Sequence, residues 1–107
     1  MAVFASTADP TELARRVVRA VERGTIGAWE LTSGHLRHMD SRGSGASAFF
    51  KMSVTETAVK FSLLRAKNGE VFDAKAYAYF HGRLTELLLG HFSDAITRVQ
   101  ATPFPGR

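Results

Sequence analysis

The sequence predicts an α+β fold with an N-terminal helix, a three- to four-stranded antiparallel sheet, and a long C-terminal helix packed on one face of the sheet. A capped helix start lies near residue 9, alternating apolar residues run from 48 to 64, and apolar residues recur every three or four positions from 74 to 100. At 107 residues, the chain is large enough for one hydrophobic core. We therefore expect a single domain over residues 1–107, with a flexible arm at 1–8 and a flexible tail at 102–107.

The composition is that of an ordinary globular protein, with 45% hydrophobic and 22% charged residues. The chain has no cysteine, which excludes a disulfide scaffold, a thiolate metal site and a cysteine nucleophile. It lacks the run of about eighteen apolar residues that would span a membrane, and its first residues lack the basic and apolar segments of a secretory signal. We therefore expect a cytoplasmic protein without a membrane segment.

The first predicted helix has clear start and stop residues. Asp9 is a candidate N-cap, Pro10 suits the first helical position, and Glu12 is placed to complete a capping box. Gly24 is the expected end. One face is predicted to be buried, and the opposite face carries arginines among acids, a pattern typical of a solvated helix surface. The buried stripe is Leu13, Val17, Ala20 and Val21, and the arginines are Arg15, Arg16, Arg19 and Arg23.

Two short strands are predicted next. The pattern favours a strand over 26–32 with Trp29 and Leu31 on one side, a turn at Ser33-Gly34, and a return strand over 34–39. Residues 40–47 are rich in glycine and serine and are expected to form a loop. No GxxxxGK[ST] motif is present, which excludes a phosphate-binding loop of the usual kind.

The centre of the chain, residues 48–64, predicts a β-hairpin with a polar turn at Thr55-Glu56. Because side chains alternate along a strand, the even-numbered positions of the first strand and the odd-numbered positions of the second should face the core. A symmetric turn opposes Val54 to Thr57, Met52 to Val59, Phe50 to Phe61 and Lys51 to Lys60. Two lysines directly opposite each other on the other face would repel, unless an anion lies between them.

The C-terminal third predicts a turn at Asn68-Gly69, a helix cap at Asp73, and one helix over 74–100. A kink or break near Gly90 is an open alternative, since glycine weakens a helix by about 1 kcal/mol. The apolar stripe is wider than one small sheet needs, which is typical of a subunit interface. We therefore expect a homodimer, with an interface formed by Leu84, Leu88, Leu89 and Phe92.

Catalysis and metal binding are less favoured than binding of a partner. The four histidines and the carboxylates show no metal-ligand spacing, and no catalytic Ser, His and Asp grouping follows from their order. We therefore expect no metal, no cofactor and, on balance, no enzyme. An enzyme or small-ligand protein would need a pocket near Trp29, His35 and Tyr77, which spacing cannot show.

The favoured function is binding of an anionic partner, and nucleic acid is the partner expected. Residues 41–69 hold five basic residues and one acid, an excess equal to the formal charge of +4. Basic and aromatic residues on an open sheet face hold single strands by backbone neutralisation and stacking. The expected site residues are Phe49, Lys51 and Lys60 on the sheet, with Arg42 and Lys67 in neighbouring loops.

A protein–protein interaction module that uses the leucine-rich helix is the alternative function. The order of helix, strands and helix is that of double-stranded-RNA-binding domains, but the lysine-rich start of their final helix is missing. No family resemblance follows from the sequence.

Overall fold

The computed structural model describes residues 2–38, 48–64 and 74–102. Within these ranges, six strands form one antiparallel sheet and two helices pack against it. The elements in chain order are β1 (Ala2–Ser6), α1 (Pro10–Glu22), β2 (Trp29–Thr32), β3 (His35–His38), β4 (Ala48–Val54), β5 (Ala58–Leu64), α2 (Ala74–His91) and β6 (Arg98–Ala101). The strands lie in the order β2-β3-β4-β5-β1-β6. The predicted α+β content and antiparallel sheet are confirmed. The predicted three or four strands and long C-terminal helix are wrong.

The first strand is the largest departure from the predicted fold. Residues 2–6, expected to lie in a flexible arm, form β1, which pairs with β5 on one side and with β6 on the other. Val3 and Ala5 are fully buried. The following residue, Thr7, donates its amide hydrogen to the carbonyl oxygen of Thr57 over 3.0 Å. Because β1 is hydrogen-bonded along both of its edges, it is an interior strand of the sheet and not a flexible arm.

The C-terminal apolar pattern forms a helix and a strand, which corrects the helix predicted over 74–100. Helix α2 ends at His91, next to the break at Gly90 that the sequence left open. The chain then turns, and the amide of Thr97 donates to the carbonyl oxygen of Ser6 over 2.9 Å at the start of β6. Ala95, Ile96 and Val99 are spaced as they would be on one face of a helix, but they belong to a turn and to β6. Neither helix of the described ranges is long and apolar enough to cross a membrane.

The β4–β5 hairpin is confirmed, but its register differs from the predicted one. The turn is centred on Glu56-Thr57, because Thr55 pairs with Ala58: the Thr55 amide donates to the Ala58 carbonyl oxygen over 2.9 Å. The Thr55 hydroxyl also accepts the Ala58 amide over 3.0 Å, as in a serine/threonine turn. The shift keeps every side chain on its predicted face. The observed pairs include Val54–Val59, Met52–Phe61, Phe50–Leu63, Lys51–Ser62 and Ser53–Lys60.

Local signals placed α1 and the β2–β3 hairpin correctly. Asp9 caps α1 by accepting the amide of Glu12 over 3.2 Å, and Gly24 follows the helix with a positive φ of 69°. Ser33 and Gly34 also have positive φ values, as a two-residue hairpin turn requires. The predicted loop at 40–47, the Asn68-Gly69 turn and the Asp73 cap lie outside the described residues.

The hydrophobic core lies between one face of the sheet and the two helices. Since α1 connects β1 to β2 at the far edge, it crosses the intervening strands, whereas α2 packs near β1 and β6. The core residues of the sheet are Val3, Ala5, Trp29, Leu36, Phe50, Val59, Phe61 and Leu63, and those of the helices and loops are Leu13, Val17, Val21, Ile26, Phe80, Leu84, Leu87, Leu88 and Phe92. Both helices therefore cover the same face of the sheet.

Arg16 joins α1 to the turn that follows α2. Its guanidinium donates a hydrogen bond to Asp94 over 3.2 Å and lies over the ring of Phe92 at 5.4 Å. This hydrogen bond, with the favourable charge of Arg16, holds the pKa of the Asp94 carboxyl below its usual value. The contact connects the two halves of the helical layer.

The position of β1 predicts that the same substitution, valine to alanine, has a large effect on stability at Val3 and a small effect at Val54. Val3→Ala should lower the free energy of unfolding by about 1.5 to 2.5 kcal/mol, because it removes buried methyl groups and leaves a cavity. Val54→Ala should change it by less than about 0.5 kcal/mol. Val3 is 0% exposed and Val54 is 48% exposed. Urea unfolding followed by circular dichroism measures both, and equal effects would contradict the placement of β1.

The Arg16–Asp94 contact predicts a pH-dependent contribution to stability. Because the unfolded chain returns the carboxyl to its ordinary, higher pKa, the contribution is complete above that value and is lost as the pH falls through the depressed pKa. Asp94→Asn should therefore lower the melting temperature at neutral pH and have no effect in strong acid. Glu22→Gln, at an exposed position near the end of α1, controls for loss of a surface charge. A pH-independent effect of Asp94→Asn would contradict the assignment.

Candidate functional site

One face of the sheet is not covered by either helix, and we call it the outer face. Directly opposite residues of paired strands share a face, so the registers identify its members from one edge to the other. They are Glu30, Thr32, His35, Arg37, Phe49, Leu64, Lys51, Ser62, Ser53, Lys60, Ala58, Ala2, Phe4, Ser6, Arg98 and Gln100. Ala2 and Ala58 are small and buried, and the other side chains of this face are partly or fully exposed, whereas their neighbours along each strand turn toward the core.

Phe4 and Lys60 form the first aromatic and cationic pair of the outer face. They lie directly opposite each other on β1 and β5, and the Lys60 ammonium lies 5.7 Å from the centre of the Phe4 ring. This distance is within the range of a cation–π contact. Ser53 lies opposite Lys60 on the other side, so the lysine has no like charge across the strand.

Phe49 and Arg37 form the second pair. They lie opposite each other on β4 and β3, with the Arg37 guanidinium 6.0 Å from the centre of the Phe49 ring. Arg37 also forms a salt bridge with Glu30 on β2. This end of the outer face therefore carries a ring, a cation and one carboxylate in a row across three strands.

The two pairs lie at opposite ends of a diagonal across the sheet. Phe4 and Phe49 are separated by two strand spacings and four residues along β4, since Lys60 is opposite Ser53. With strands about 4.8 Å apart and a rise of about 3.3 Å per residue, the rings lie roughly 16 Å apart. Lys51 lies between them, opposite Ser62, and is exposed. The diagonal thus has an aromatic and a basic side chain at each end, with Lys51 between the two pairs.

Positive charge is concentrated on the outer face. Of its described side chains, four are basic and one is acidic, an excess of three positive charges; the basic ones are Arg37, Lys51, Lys60 and Arg98. The described side chains of the helices and adjoining loops comprise five arginines and five acids. Three of those arginines form salt bridges on the helical side, in the pairs Arg15–Glu12, Arg16–Asp94 and Arg83–Glu86.

The predicted opposition of Lys51 and Lys60 is wrong. Both lysines are on the outer face, but Lys51 is opposite Ser62 and Lys60 is opposite Ser53. The reason is the Thr55–Ala58 closure of the turn, which moves the register by two residues. Like-charge repulsion across the strands is therefore not a feature of this site. Phe49 lies on the outer face as expected, and Arg42 and Lys67 lie outside the described residues.

The residues expected to form a dimer interface lie mainly in the core. Leu84, Leu88 and Phe92 are buried against the sheet and present almost no surface to a partner. Leu89 is 50% exposed. The apolar residues of α2 are used within the chain, because they pack on the sheet in the core. No group of three or more His, Asp and Glu side chains within the described ranges converges as a metal site would.

Comparison of the chain with protein-family models, with curated proteins and with solved structures gives no match. Function is therefore inferred from the geometry of this chain.

Sequence reasoning missed Phe4, Arg37 and Arg98 as members of the site. The sequence predicts a flexible arm at Phe4, and the β propensity of Val3 and Phe4 is only a weak strand signal. Arg37 follows from the predicted return strand, but only the register places it beside Phe49. For Arg98, the sequence predicts a helix. Phe4 and Arg98 are part of the site because their strands pair with strands distant in sequence.

Proposed function

We propose that this chain binds single-stranded nucleic acid across the outer face of its sheet. The observation that carries the proposal is the diagonal from Phe4 and Lys60 through Lys51 to Phe49 and Arg37, on a face that neither helix covers. Each aromatic ring offers a stacking surface, and each neighbouring cation can neutralise a phosphate. We also propose a cytoplasmic location, because single-stranded nucleic acid is present in the cytoplasm.

The geometry favours a single strand over a duplex. The Phe4 and Phe49 rings are half-buried on the outer face, so a base must be unpaired to stack on them. No described helix projects from the outer face into a groove, which is how base pairs of a duplex are usually read. A separation of roughly 16 Å corresponds to about five nucleotides of a stacked strand, or fewer of an extended one.

The charge on the outer face predicts the salt dependence of binding. If the four basic side chains contact phosphates, the logarithm of affinity should fall with the logarithm of salt concentration with a slope of about −3. Loss of one contact should reduce the slope by about 0.7 and weaken binding at low salt several-fold. Fluorescence anisotropy of a labelled mixed-sequence oligonucleotide of about twelve nucleotides, measured over a salt series, gives both quantities.

Lys60→Gln and Arg15→Gln form a matched pair for that measurement. Both remove one positive charge, but Lys60 lies on the outer face, and Arg15 lies on α1 in a salt bridge with Glu12. Only Lys60→Gln should lower the slope. Equal effects of the two substitutions would indicate that net charge alone attracts the oligonucleotide. No binding by the unsubstituted protein at low salt would contradict the proposal itself.

Removal of an aromatic ring should weaken binding without changing its salt dependence. Phe49→Leu keeps an apolar side chain and deletes the stacking surface, so affinity should fall by about 1 to 3 kcal/mol, or roughly 5- to 150-fold. Phe4→Leu should act similarly at the other end of the diagonal. Circular dichroism melting checks that the variants are folded. Unchanged affinity in both folded variants would show that the rings do not stack on bases.

A further inference from the structure

Phe4 lies in the middle of a row of three outer-face residues on neighbouring strands. Lys60 on β5 is directly opposite Phe4 on one side, and Gln100 on β6 is directly opposite it on the other. The Lys60 ammonium lies 5.7 Å from the centre of the ring, and Gln100 is exposed. Opposite side chains of paired strands are about 5 Å apart at their Cβ atoms. A nucleotide at Phe4 therefore has a cation on one side and an amide on the other.

Phe49 lies in a second row of the same kind, with a different third residue. Arg37 on β3 is opposite Phe49 on one side, and Leu64 on β5 is opposite it on the other. In both rows the cation is on the side of the ring toward β2, and the third residue is on the side toward β6. That third residue is an amide beside Phe4 and a hydrocarbon beside Phe49. Of these two, only the amide can form hydrogen bonds to the edge of a base.

The basic residues of the outer face define a path for the sugar–phosphate backbone. Arg37, Lys51 and Lys60 lie on three successive strands, each displaced from the one before by one strand and two residues. With strands about 4.8 Å apart and a rise of about 3.3 Å per residue, successive members are roughly 8 Å apart on a straight line, which we call the basic line. The line continues over Ser6, which is opposite Arg98. Both rings lie on the β6 side of the basic line, so bases of a strand held along it point toward β6.

The amide of Gln100 suits one base in particular. A glutamine side chain presents a donor and an acceptor side by side. Adenine offers the complementary pair on both of its exposed edges, through N6 with N1 and through N6 with N7. On the N7 edge, guanine has two acceptors, and the matching edges of cytosine and thymine have only a donor and only an acceptor. Because an unpaired base can present either edge, adenine alone pairs with the amide in both orientations.

We propose that Gln100 makes the outer face selective for adenine at a single nucleotide, the one whose base stacks on Phe4. The backbone of the strand follows the basic line, and the edge of this base meets the Gln100 amide. The base on Phe49 meets Leu64 and is bound whatever its identity. This inference rests on the function proposed above, because it concerns a strand held on the same face.

Fluorescence anisotropy with labelled oligo(dA), oligo(dC) and oligo(dT) of equal length tests the role of Gln100. At low salt the unsubstituted protein should bind oligo(dA) at least about fivefold more tightly than the other two, which is the effect of one bidentate contact worth about 1 kcal/mol. Gln100→Leu should remove most of this preference by weakening the binding of oligo(dA) alone. The intrinsic stacking of adenine is the same for both proteins, so the change between them reports the amide. An unchanged preference in folded Gln100→Leu would overturn the inference.

The reciprocal substitution and a matched control use the symmetry of the two rows. Leu64→Gln gives Phe49 the same neighbour that Phe4 has, so the preference for oligo(dA) should rise about fivefold further. Ser53→Ala removes a polar side chain opposite Lys60, on the cation side of the Phe4 row, and should leave the preference as it is. Circular dichroism melting checks that the variants are folded. An unchanged preference in folded Leu64→Gln, or a loss in Ser53→Ala equal to that in Gln100→Leu, would contradict the assignment.

The same titrations separate failure of this inference from failure of the proposed function. Equal binding of all three oligonucleotides by the unsubstituted protein would overturn the selectivity and leave single-strand binding in place. Absence of binding to any of them at low salt would contradict both.

Discussion

The pairing of β1 between β5 and β6 is the constraint on which the rest of the structure depends. It brings residues 2–6 against residues 58–62 and 98–101, so both ends of the described chain lie together at one edge of the sheet. The pairing continues beyond β6, because Thr102 donates its amide to the Ala2 carbonyl oxygen over 2.9 Å and its hydroxyl accepts the Ala2 amide over the same distance. Without β1, β6 would have no strand to pair with, and the Phe4–Lys60 contact would not form.

Coverage of one face by two helices determines how the two surfaces of the sheet differ. Side chains beneath α1 and α2 form an apolar core, and arginines on the helical side lie among an equal number of acids. The uncovered face then holds three more positive than negative charges together with two aromatic rings. A sheet with one covered face commonly exposes the other to water, and uncompensated charge there is consistent with an anionic partner. The proposed function follows from this separation and not from any single residue.

Local features of the sequence predicted local structure well. The Asp9 cap, the Ser33-Gly34 turn and the faces of β4 and β5 each depend on residues within a few positions of one another. The hairpin register was wrong because the Thr55 hydroxyl selects the turn, and strand alternation does not change when the register moves by two residues. Side-chain faces were therefore predictable, whereas cross-strand partners were not.

Features set by distant pairing were not predictable. β1 is five residues long and three of these are alanine or serine, so its strand pattern is weak, and its partners are more than fifty residues away. β6 carries apolar residues at spacing that suits a helix as well, so only its pairing with β1 distinguishes the two.

Mapping of the binding surface by NMR tests the central claim most directly. A titration of the labelled protein with a mixed-sequence single strand at low salt should shift the amide signals of β1, β4 and β5, including those of Phe4, Lys51 and Lys60. The signals of α1 near Arg15 and Arg19 should stay in place. Shifts centred on α1, with the sheet unaffected, would contradict the account.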